Sequence, residues 1–251
     1  MPTMGFLDHL EELRRRIIYS IIAVAIGFFF CWGYAEKIYE IMQRPIMVAL
    51  QHNGLSGEKL VYLNPTEPFN LYIKVGAMAG LFVASPFVLY QLWLFISPGL
   101  YRHEKRYVMP FMFSTVGLFL GGGYFGYKLV YPQALEFLIS YGKQFQPMIT
   151  IGEYTDLFLT IIIGMGLIFE MPILIFFLSL MGIVSAGWMW RNLRYSILII
   201  FIIAAVLTPT TDILNMCIFA APMVALYVVS IAIAWLVHPT QRKKRADKKD
   251  S

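Results

Sequence analysis

Residues 157–180 read LFLTIIIGMGLIFEMPILIFFLSL and contain a single charged side chain, Glu170. At ~1.5 Å per residue, a helix of this length reaches roughly 36 Å, enough to cross a hydrocarbon core of ~30 Å. The apolar residues run continuously instead of alternating with polar ones, which favours a helix over a strand of a membrane barrel. The stretch therefore predicts a membrane-spanning helix that carries one carboxylate.

Further apolar stretches, bounded by charged residues, occur along the rest of the chain. The 251 residues are 59% hydrophobic and 14% charged, with a mean hydropathy of +0.66, whereas about 25% of the residues in soluble domains are charged. This composition excludes a soluble domain and a disordered chain. We expect an all-α, polytopic membrane protein with one domain over residues 1–237 and a basic, disordered tail over 238–251. Its six predicted transmembrane helices are residues 17–34, 75–96, 107–127, 157–180, 195–207 and 213–237.

The positive charges are distributed unevenly between the two sides of the membrane. Most of the 20 Lys and Arg residues fall in the N-terminus, the second and fourth loops and the tail. Because cytoplasmic segments are enriched in Lys and Arg, both termini are predicted to be cytoplasmic. The net charge of +5 then reflects topology and contact with the anionic lipid bilayer. We predict no nucleic-acid binding, since no binding module accompanies the short basic tail.

The predicted fifth span is unusually short. Residues 195–207 are 13 residues, or about 20 Å of helix, and the sequence TPTTD at 208–212 follows at once. Two arrangements are open. Either the tip of the hairpin lies below the outer surface and thins the bilayer, or the helix begins nearer Trp190 and the tip reaches the interface.

The two long outer loops contain further predicted structure. Residues 35–50 mix apolar and charged side chains at helical spacing, which predicts an interfacial helix that Pro45 kinks or ends. Residues 64–68 carry two prolines and are expected to be extended, because a residue before proline avoids the helical region. A short helix is predicted between Pro132 and Pro147.

Glu170 is the most unusual residue of the predicted spans. A carboxylate inside the membrane costs several kcal/mol and usually marks a functional site. Pro172 loosens the helix beside it, because proline removes a backbone hydrogen bond. Glu170 either faces a polar groove in the interior of the bundle or is protonated and bonded to a neighbouring helix.

Acidic residues also occur on the predicted cytoplasmic side, although Lys and Arg alone would account for the predicted orientation. Glu11 and Glu12 precede Arg15 and Arg16 by four residues, a spacing that allows ion pairs on one helix, and Glu104 lies within a basic loop. These acids are either surface charges or binding groups. No phosphate-binding loop, zinc-ligand spacing or nucleophile motif is present, so we predict no enzymatic activity, cofactor or metal.

Five short motifs resemble the twin-arginine translocase receptor family, TatC, and they occur in the family's order. They are HLEELRRR at 9–16, PTEPF at 65–69, FISPGLYRHEKR at 95–106, FEMP at 169–172 and TPTTD at 208–212. The resemblance covers the chain from His9 to about Pro222. Two departures are Thr210, where the family often has a second proline, and Ile213-Leu214-Asn215 after Asp212, where the family often has glutamine.

The resemblance implies a six-span fold with a concave arrangement of helices and a role in exporting folded proteins. Such receptors bind signal peptides that carry two consecutive arginines. Carried onto this sequence, Glu12 and Glu104 would bind the arginine pair, and Glu170 would lie in the concave face. Further residues implied at the peptide site are Arg14, Phe95, Pro98 and Leu100, and those implied in function or assembly are Pro45, Pro86, Thr208 and Asp212.

The resemblance also implies partners and a location. The partners are the signal peptides of folded cargo, the single-span subunits TatA and TatB docked at the fifth and sixth spans, and further copies of the chain in a homo-oligomer. The location is the plasma (inner) membrane of a bacterium, where the proton-motive force would drive export.

Arginine chemistry agrees with this assignment. The guanidinium is a rigid donor fork that carboxylates can bind in pairs, and lysine cannot reproduce that geometry. Cations around the two acids would repel diffusely basic peptides.

The alternative function is a proton-coupled secondary transporter that uses Glu170. Many such transporters contain internal repeats, and none is evident here.

Overall fold

The computed structural model describes residues 6–54, 60–96, 108–142, 145, 148–208 and 213–237. Helices make up the regular structure of these residues, apart from an isolated bridge between Val61 and Thr150, and the predicted all-α class is confirmed. The elements are α1 (Phe6–Trp32), α2 (Ala35–His52), α3 (Glu67–Ile96), α4 (Val108–Phe125), a π-helical turn (Gly126–Val130), α5 (Tyr131–Tyr141), α6 (Ile151–Phe169), α7 (Met171–Leu180), α8 (Ala186–Arg191), α9 (Leu193–Leu207) and α10 (Ile213–Val237).

Four helical segments among the described residues are long and apolar enough to cross a membrane. They are Leu10–Trp32, Glu67–Phe95, Ile151–Leu180 and Met216–Leu236. Helices α4 and α9 fall on the third and fifth predicted spans, and α9 is a shorter apolar helix. The count of six spans, the cytoplasmic termini and the concave arrangement stay predictions.

One face of α1 exposes large apolar side chains. Ile26, Phe29 and Phe30 have 66%, 75% and 66% of their surface accessible. A contiguous apolar surface of this kind is rare in water and suits a helix whose outer face contacts lipid.

Contacts divide the chain into two compact units. The first consists of Met1–Leu120 with Ile139–Leu159, and the second of Gly121–Leu138 with Thr160–Ser251. The prediction of one domain over residues 1–237 stays a prediction, and the tail at 238–251 lies outside the described residues.

In the first unit, α1 packs against α3 through two glycines. A Cβ atom on Gly27 would lie 2.6 Å from the carbonyl oxygen of Gly80, and one on Gly80 would lie 2.5 Å from the backbone nitrogen of Phe28. Only hydrogen fits in these positions, so the two backbones touch. Gly76 and Gly80 form a small-xxx-small pattern on α3, which is typical of close helix crossings in membranes.

Hydrogen bonds join segments of the two predicted outer loops in the first unit. The backbone N–H of Val61 donates to the carbonyl of Ile149 at 3.0 Å, and that of Ile151 donates to Val61 at 2.8 Å. The hydroxyl of Tyr154 donates to the carbonyl of Met42 in α2 at 2.5 Å. The predicted outer helix is therefore present as α2, and it continues through Pro45 to His52.

The second unit places α10 against α7, α8 and α9. The hydroxyl of Ser179 donates to the carbonyl of Ala234 at 3.3 Å, which joins α7 to α10. The hydroxyl of Tyr227 in α10 accepts from that of Ser196 at 2.8 Å and donates to the carbonyl of Met189 at 3.2 Å. One tyrosine thus links three helices.

One sequence expectation is wrong, and one open question is narrowed. The segment before α3 is a turn, with Glu67 N–H bonded to the carbonyl of Asn64, and the helix begins at Glu67. Pro68 then lies in the first turn, where its missing N–H costs nothing. The fifth-span helix begins at Leu193, between the two starts that the sequence left open, because Asn192 separates α8 from α9. The 15 residues of α9 span about 22 Å, so the span is short.

Candidate functional site

Three polar side chains meet where the first part of α1 lies against the last part of α3. Glu12 and Arg16 are four residues apart on α1 and so share a face, and Gln91 comes from α3. Nη2 of Arg16 lies 3.2 Å from Oε1 of Glu12. Nη1 of Arg16 donates to Oε1 of Gln91 at 3.0 Å. We call Glu12, Arg16 and Gln91 the Arg16 cluster.

The Arg16 cluster is largely withdrawn from solvent. The side chains of Glu12 and Arg16 are 13% and 18% exposed, and Gln91 is 5% exposed. Oε2 of Glu12 and Nε of Arg16 are buried and make no hydrogen bond within the described part of the chain. Because a buried charge without a partner is strongly unfavourable, each of these two charges stabilises the other.

The other predicted peptide-site residues fall around this cluster or outside the described residues. Phe95 is half-buried and lies one turn after Gln91, on the same face of α3. Arg14 is exposed. Of the two ion pairs proposed on α1, Glu12–Arg16 forms, whereas Glu11 and Arg15 are both exposed and share no ion pair. Glu104, Pro98 and Leu100 lie outside the described residues.

Glu170 lies at a break between two helices of the second unit. Helix α6 ends at Phe169 and α7 begins at Met171. The N–H of Glu170 donates to Leu167, three residues back, at 3.1 Å. Pro172 supplies no N–H to the carbonyl four residues before it, so the break follows from the proline, as predicted. Oε1 of Glu170 is buried without a hydrogen-bond partner among the described residues.

Close packing fixes the helix just before Glu170. The ring of Phe169 lies 5.4 Å from that of Phe125 on α4, measured between centroids. A Cβ atom on Gly122 would lie 2.6 Å from the carbonyl oxygen of Met165 and 2.8 Å from Phe169. Gly122 thus permits a close helix contact, whereas Gly121 faces open space.

The predicted assembly residues are two helix prolines and two residues of the hairpin. Pro45 is half-buried within α2, and Pro86 is exposed within α3. Thr208 is buried at the end of α9, where its hydroxyl donates to the carbonyl of Ala204 at 2.9 Å. This bond and the extended backbone before Pro209 end the helix. Asp212 lies outside the described residues.

Sequence reasoning missed Gln91 and Ser85. Gln91 is 75 residues from Arg16, so no local pattern joins them, although a polar amide within an apolar helix is itself a signal. The hydroxyl of Ser85 donates to the carbonyl of Phe82 at 2.7 Å, the carbonyl that Pro86 leaves without its usual donor. A serine directly before a helix proline was the available signal.

The long apolar helices and their exposed outer faces define an all-helical, multi-pass membrane protein. A family model described as Sec-independent protein translocase protein (TatC) matches residues 8–222. The chain belongs to the TatC family, and it is a transport component of the Sec-independent, twin-arginine translocase.

Related proteins align with almost the whole length of this chain. The Sec-independent protein translocase protein TatC of Koribacter versatilis (strain Ellin345) is 70% identical over 248 residues, which are 99% of this chain and 91% of that protein. TatC of Carboxydothermus hydrogenoformans is 36% identical over 239 residues, 95% of this chain and 96% of that protein. A crystal structure of the twin arginine translocase receptor TatC superposes with a TM-score of 0.80 at 35% identity, covering 90% of this chain and 97% of that one.

Proposed function

We propose that this chain is the receptor for twin-arginine signal peptides, with Glu12 and Glu104 binding the two arginines. The observation that carries the proposal is the contact between Glu12 and the guanidinium of Arg16, at 3.2 Å in a largely buried setting. This carboxylate already binds the chemical group that the peptide would bring. A charge-assisted hydrogen bond of this kind is roughly twice as strong as a neutral one.

The residues around Glu12 suit such a peptide. Phe95, on the same helix face as Gln91, would contact the apolar part of the peptide, with Pro98 and Leu100 following it in sequence. Arg14 is exposed and would repel peptides whose positive charge is spread out. Two acids from separate segments would then select adjacent arginines, each acid binding one guanidinium.

The wider assignment follows the family. Both termini would be cytoplasmic, in the plasma (inner) membrane of a bacterium, and the proton-motive force would drive export. The apolar outer face of α9, where Val206 is 79% and Ile202 is 54% exposed, is a surface that a single-span partner of the TatA or TatB type could cover. Pro45, Pro86, Thr208 and Asp212 would act in function or assembly of a homo-oligomeric receptor.

Peptide binding to the full chain in nanodiscs tests the proposal. An Arg-Arg signal peptide and its Lys-Lys version are compared on the wild type, Glu12→Gln, Glu104→Gln and the matched control Glu11→Gln. A hydrogen bond to a charged group contributes about 1.5–3 kcal/mol, so each site variant should weaken Arg-Arg binding about 10- to 100-fold. Glu11→Gln should change binding little, since Glu11 is exposed and has no ion-pair partner among the described residues. Equal binding of both peptides to every variant would refute the site.

Glu170 is proposed to line the path of the peptide's apolar segment. The buried Oε1 of Glu170 is a polar atom at the break between the two apolar helices α6 and α7, and it supports this role. If Glu170 instead drove proton-coupled solute transport, vesicles holding this chain alone would take up solute in a pH-dependent manner, and Glu170→Gln would abolish the uptake. We expect no such uptake.

A further inference from the structure

Arg16 occupies the carboxylate that the proposed function assigns to an arginine of the peptide. Its Nη2 lies 3.2 Å from Oε1 of Glu12, and its Nη1 donates to Oε1 of Gln91 at 3.0 Å. The guanidinium therefore divides its two terminal nitrogens between acceptors on two helices. The second oxygen of Glu12 and the Nε of Arg16 are buried and make no hydrogen bond with any described residue.

This contact is an incomplete form of the arginine–carboxylate pair. In the bidentate form, two parallel N–H donors meet both oxygens of one carboxylate. Arg16 uses one oxygen of Glu12, because Gln91 holds its other terminal nitrogen. A guanidinium that reaches both oxygens of Glu12 is a better partner than Arg16. The ammonium of lysine is a point charge that gains no such advantage.

We propose that Arg16 is a built-in competitor for Glu12, held in place by Gln91, and that an arginine of the signal peptide binds by displacing it. The inference rests on the proposed function, because it concerns how Glu12 selects its ligand. Gln91 is a positioning residue that acts through Arg16 and keeps a hydrogen-bond acceptor for it when Glu12 changes partner.

Any cation that binds Glu12 must first displace Arg16, so the competitor lowers the affinity for every cation by the same factor. A weakly held cation then no longer occupies Glu12 at ordinary concentrations, whereas a bidentate arginine still does. The low exposure of Glu12 agrees with this role, because a carboxylate that is already paired and buried does not attract loosely held cations. The predicted consequence is that removing Arg16 tightens the binding of both peptides by the same factor and leaves the ratio of their affinities unchanged.

The test measures the dissociation constants of Arg-Arg and Lys-Lys peptides on the full chain in nanodiscs. Arg16→Met removes the competitor, Gln91→Met removes its acceptor at similar volume, and Arg15→Met is the charge-matched control on the same helix. Since the contact to be broken is a hydrogen bond between charged groups, Arg16→Met should bind both peptides about tenfold more tightly and leave the ratio of their affinities unchanged. Gln91→Met should weaken the binding of both peptides, because Nη1 of Arg16 is then free to reach the second oxygen of Glu12. Arg15→Met removes the same charge from an exposed position and should tighten the binding of both peptides much less than Arg16→Met does.

Opposite results are distinguishable. Weaker binding of both peptides to Arg16→Met, or binding no tighter than to Arg15→Met, would mean that Arg16 does not compete for Glu12, and the competitor role would be overturned. If Arg16→Met does not fold, Gln91→Met decides the question, because it keeps the ion pair. A wild type that prefers Arg-Arg and loses this preference in Glu12→Gln upholds the proposed function whatever Arg16→Met does. A wild type without any preference overturns the proposed function and this inference with it.

Discussion

Replacing Gly80 by alanine tests the close crossing of α1 and α3 directly. The new Cβ atom would lie 2.5 Å from the backbone nitrogen and 2.8 Å from the Cα of Phe28. Carbon atoms prefer separations of about 3.5–4.0 Å, and a backbone atom cannot rotate away. The two helices must therefore move apart by about 1 Å, and overpacking of this kind costs about 1–3 kcal/mol.

A graded series of alanine variants provides the control. A Cβ atom on Gly76 would lie 3.3 Å from the ring of Phe28, a side chain that can shift, and one on Gly117 would meet nothing within 4 Å. The midpoint of thermal unfolding in one detergent should be lowest for Gly80→Ala and intermediate for Gly76→Ala. Gly117→Ala should match or exceed the wild type, since alanine favours a helix by about 1 kcal/mol over glycine. Equal midpoints for Gly80→Ala and Gly76→Ala would refute the close crossing.

The crossing also supports the Arg16 cluster. Arg16 precedes Gly27 by eleven residues, and Gln91 follows Gly80 by the same number, so the cluster is about 16 Å along the helices from the crossing. Separating the helices should lengthen the 3.0 Å bond from Arg16 to Gln91. Gly80→Ala should then weaken the binding of the Arg-Arg peptide, as Gln91→Met does, while Gly117→Ala leaves it unchanged.

Three further changes test single contacts of the fold by thermal unfolding. Ser85→Ala leaves the carbonyl of Phe82 without its donor and should cost about 1–3 kcal/mol; adding Pro86→Ala restores an N–H, and a failure to recover stability would contradict this account. Tyr154→Phe removes the bond to Met42 and should cost about 0.5–1.5 kcal/mol and speed proteolysis within α2, whereas Tyr62→Phe, at an exposed residue, should do neither. Lys74 and Asp156 form an ion pair with side chains 41% and 60% exposed, so Lys74→Gln should cost at most about 1 kcal/mol. That cost should vanish in 1 M salt, where the screening length is about 3 Å, and a loss that persists there would show that the pair is not simply a surface contact.

The helices that the sequence located best are those whose signal is local. Helices α1, α3, α7 and α10 fall on apolar stretches bounded by charges, and the break at Glu170 follows from Pro172. The start of α9 was not decided by hydropathy, because Trp190 and Tyr195 are both compatible with a helix. Asn192 settled it by ending α8 and beginning α9.

The residues of the proposed peptide site were predicted from motifs, whereas the side chains that contact them in the structure were not. Glu12 belongs to a recognisable signature, and its spacing predicted the pair with Arg16. Gln91 follows no spacing rule relative to Arg16, since the two residues are on different helices. Its bond to Nη1 makes the ion pair part of a largely buried cluster of three side chains on two helices.

By itself, the sequence determined that the chain is helical, that it crosses a membrane, and which acids lie among the clustered arginines. These properties depend on the free energy of transferring side chains and short segments into lipid. Each segment contributes to this free energy independently of the others. Only the tertiary structure decided that Gly27 and Gly80 bring two backbones into contact and that Arg16 divides its guanidinium between Glu12 and Gln91. Both contacts join distant residues, and shape and hydrogen-bond direction fix them only when two helices pack.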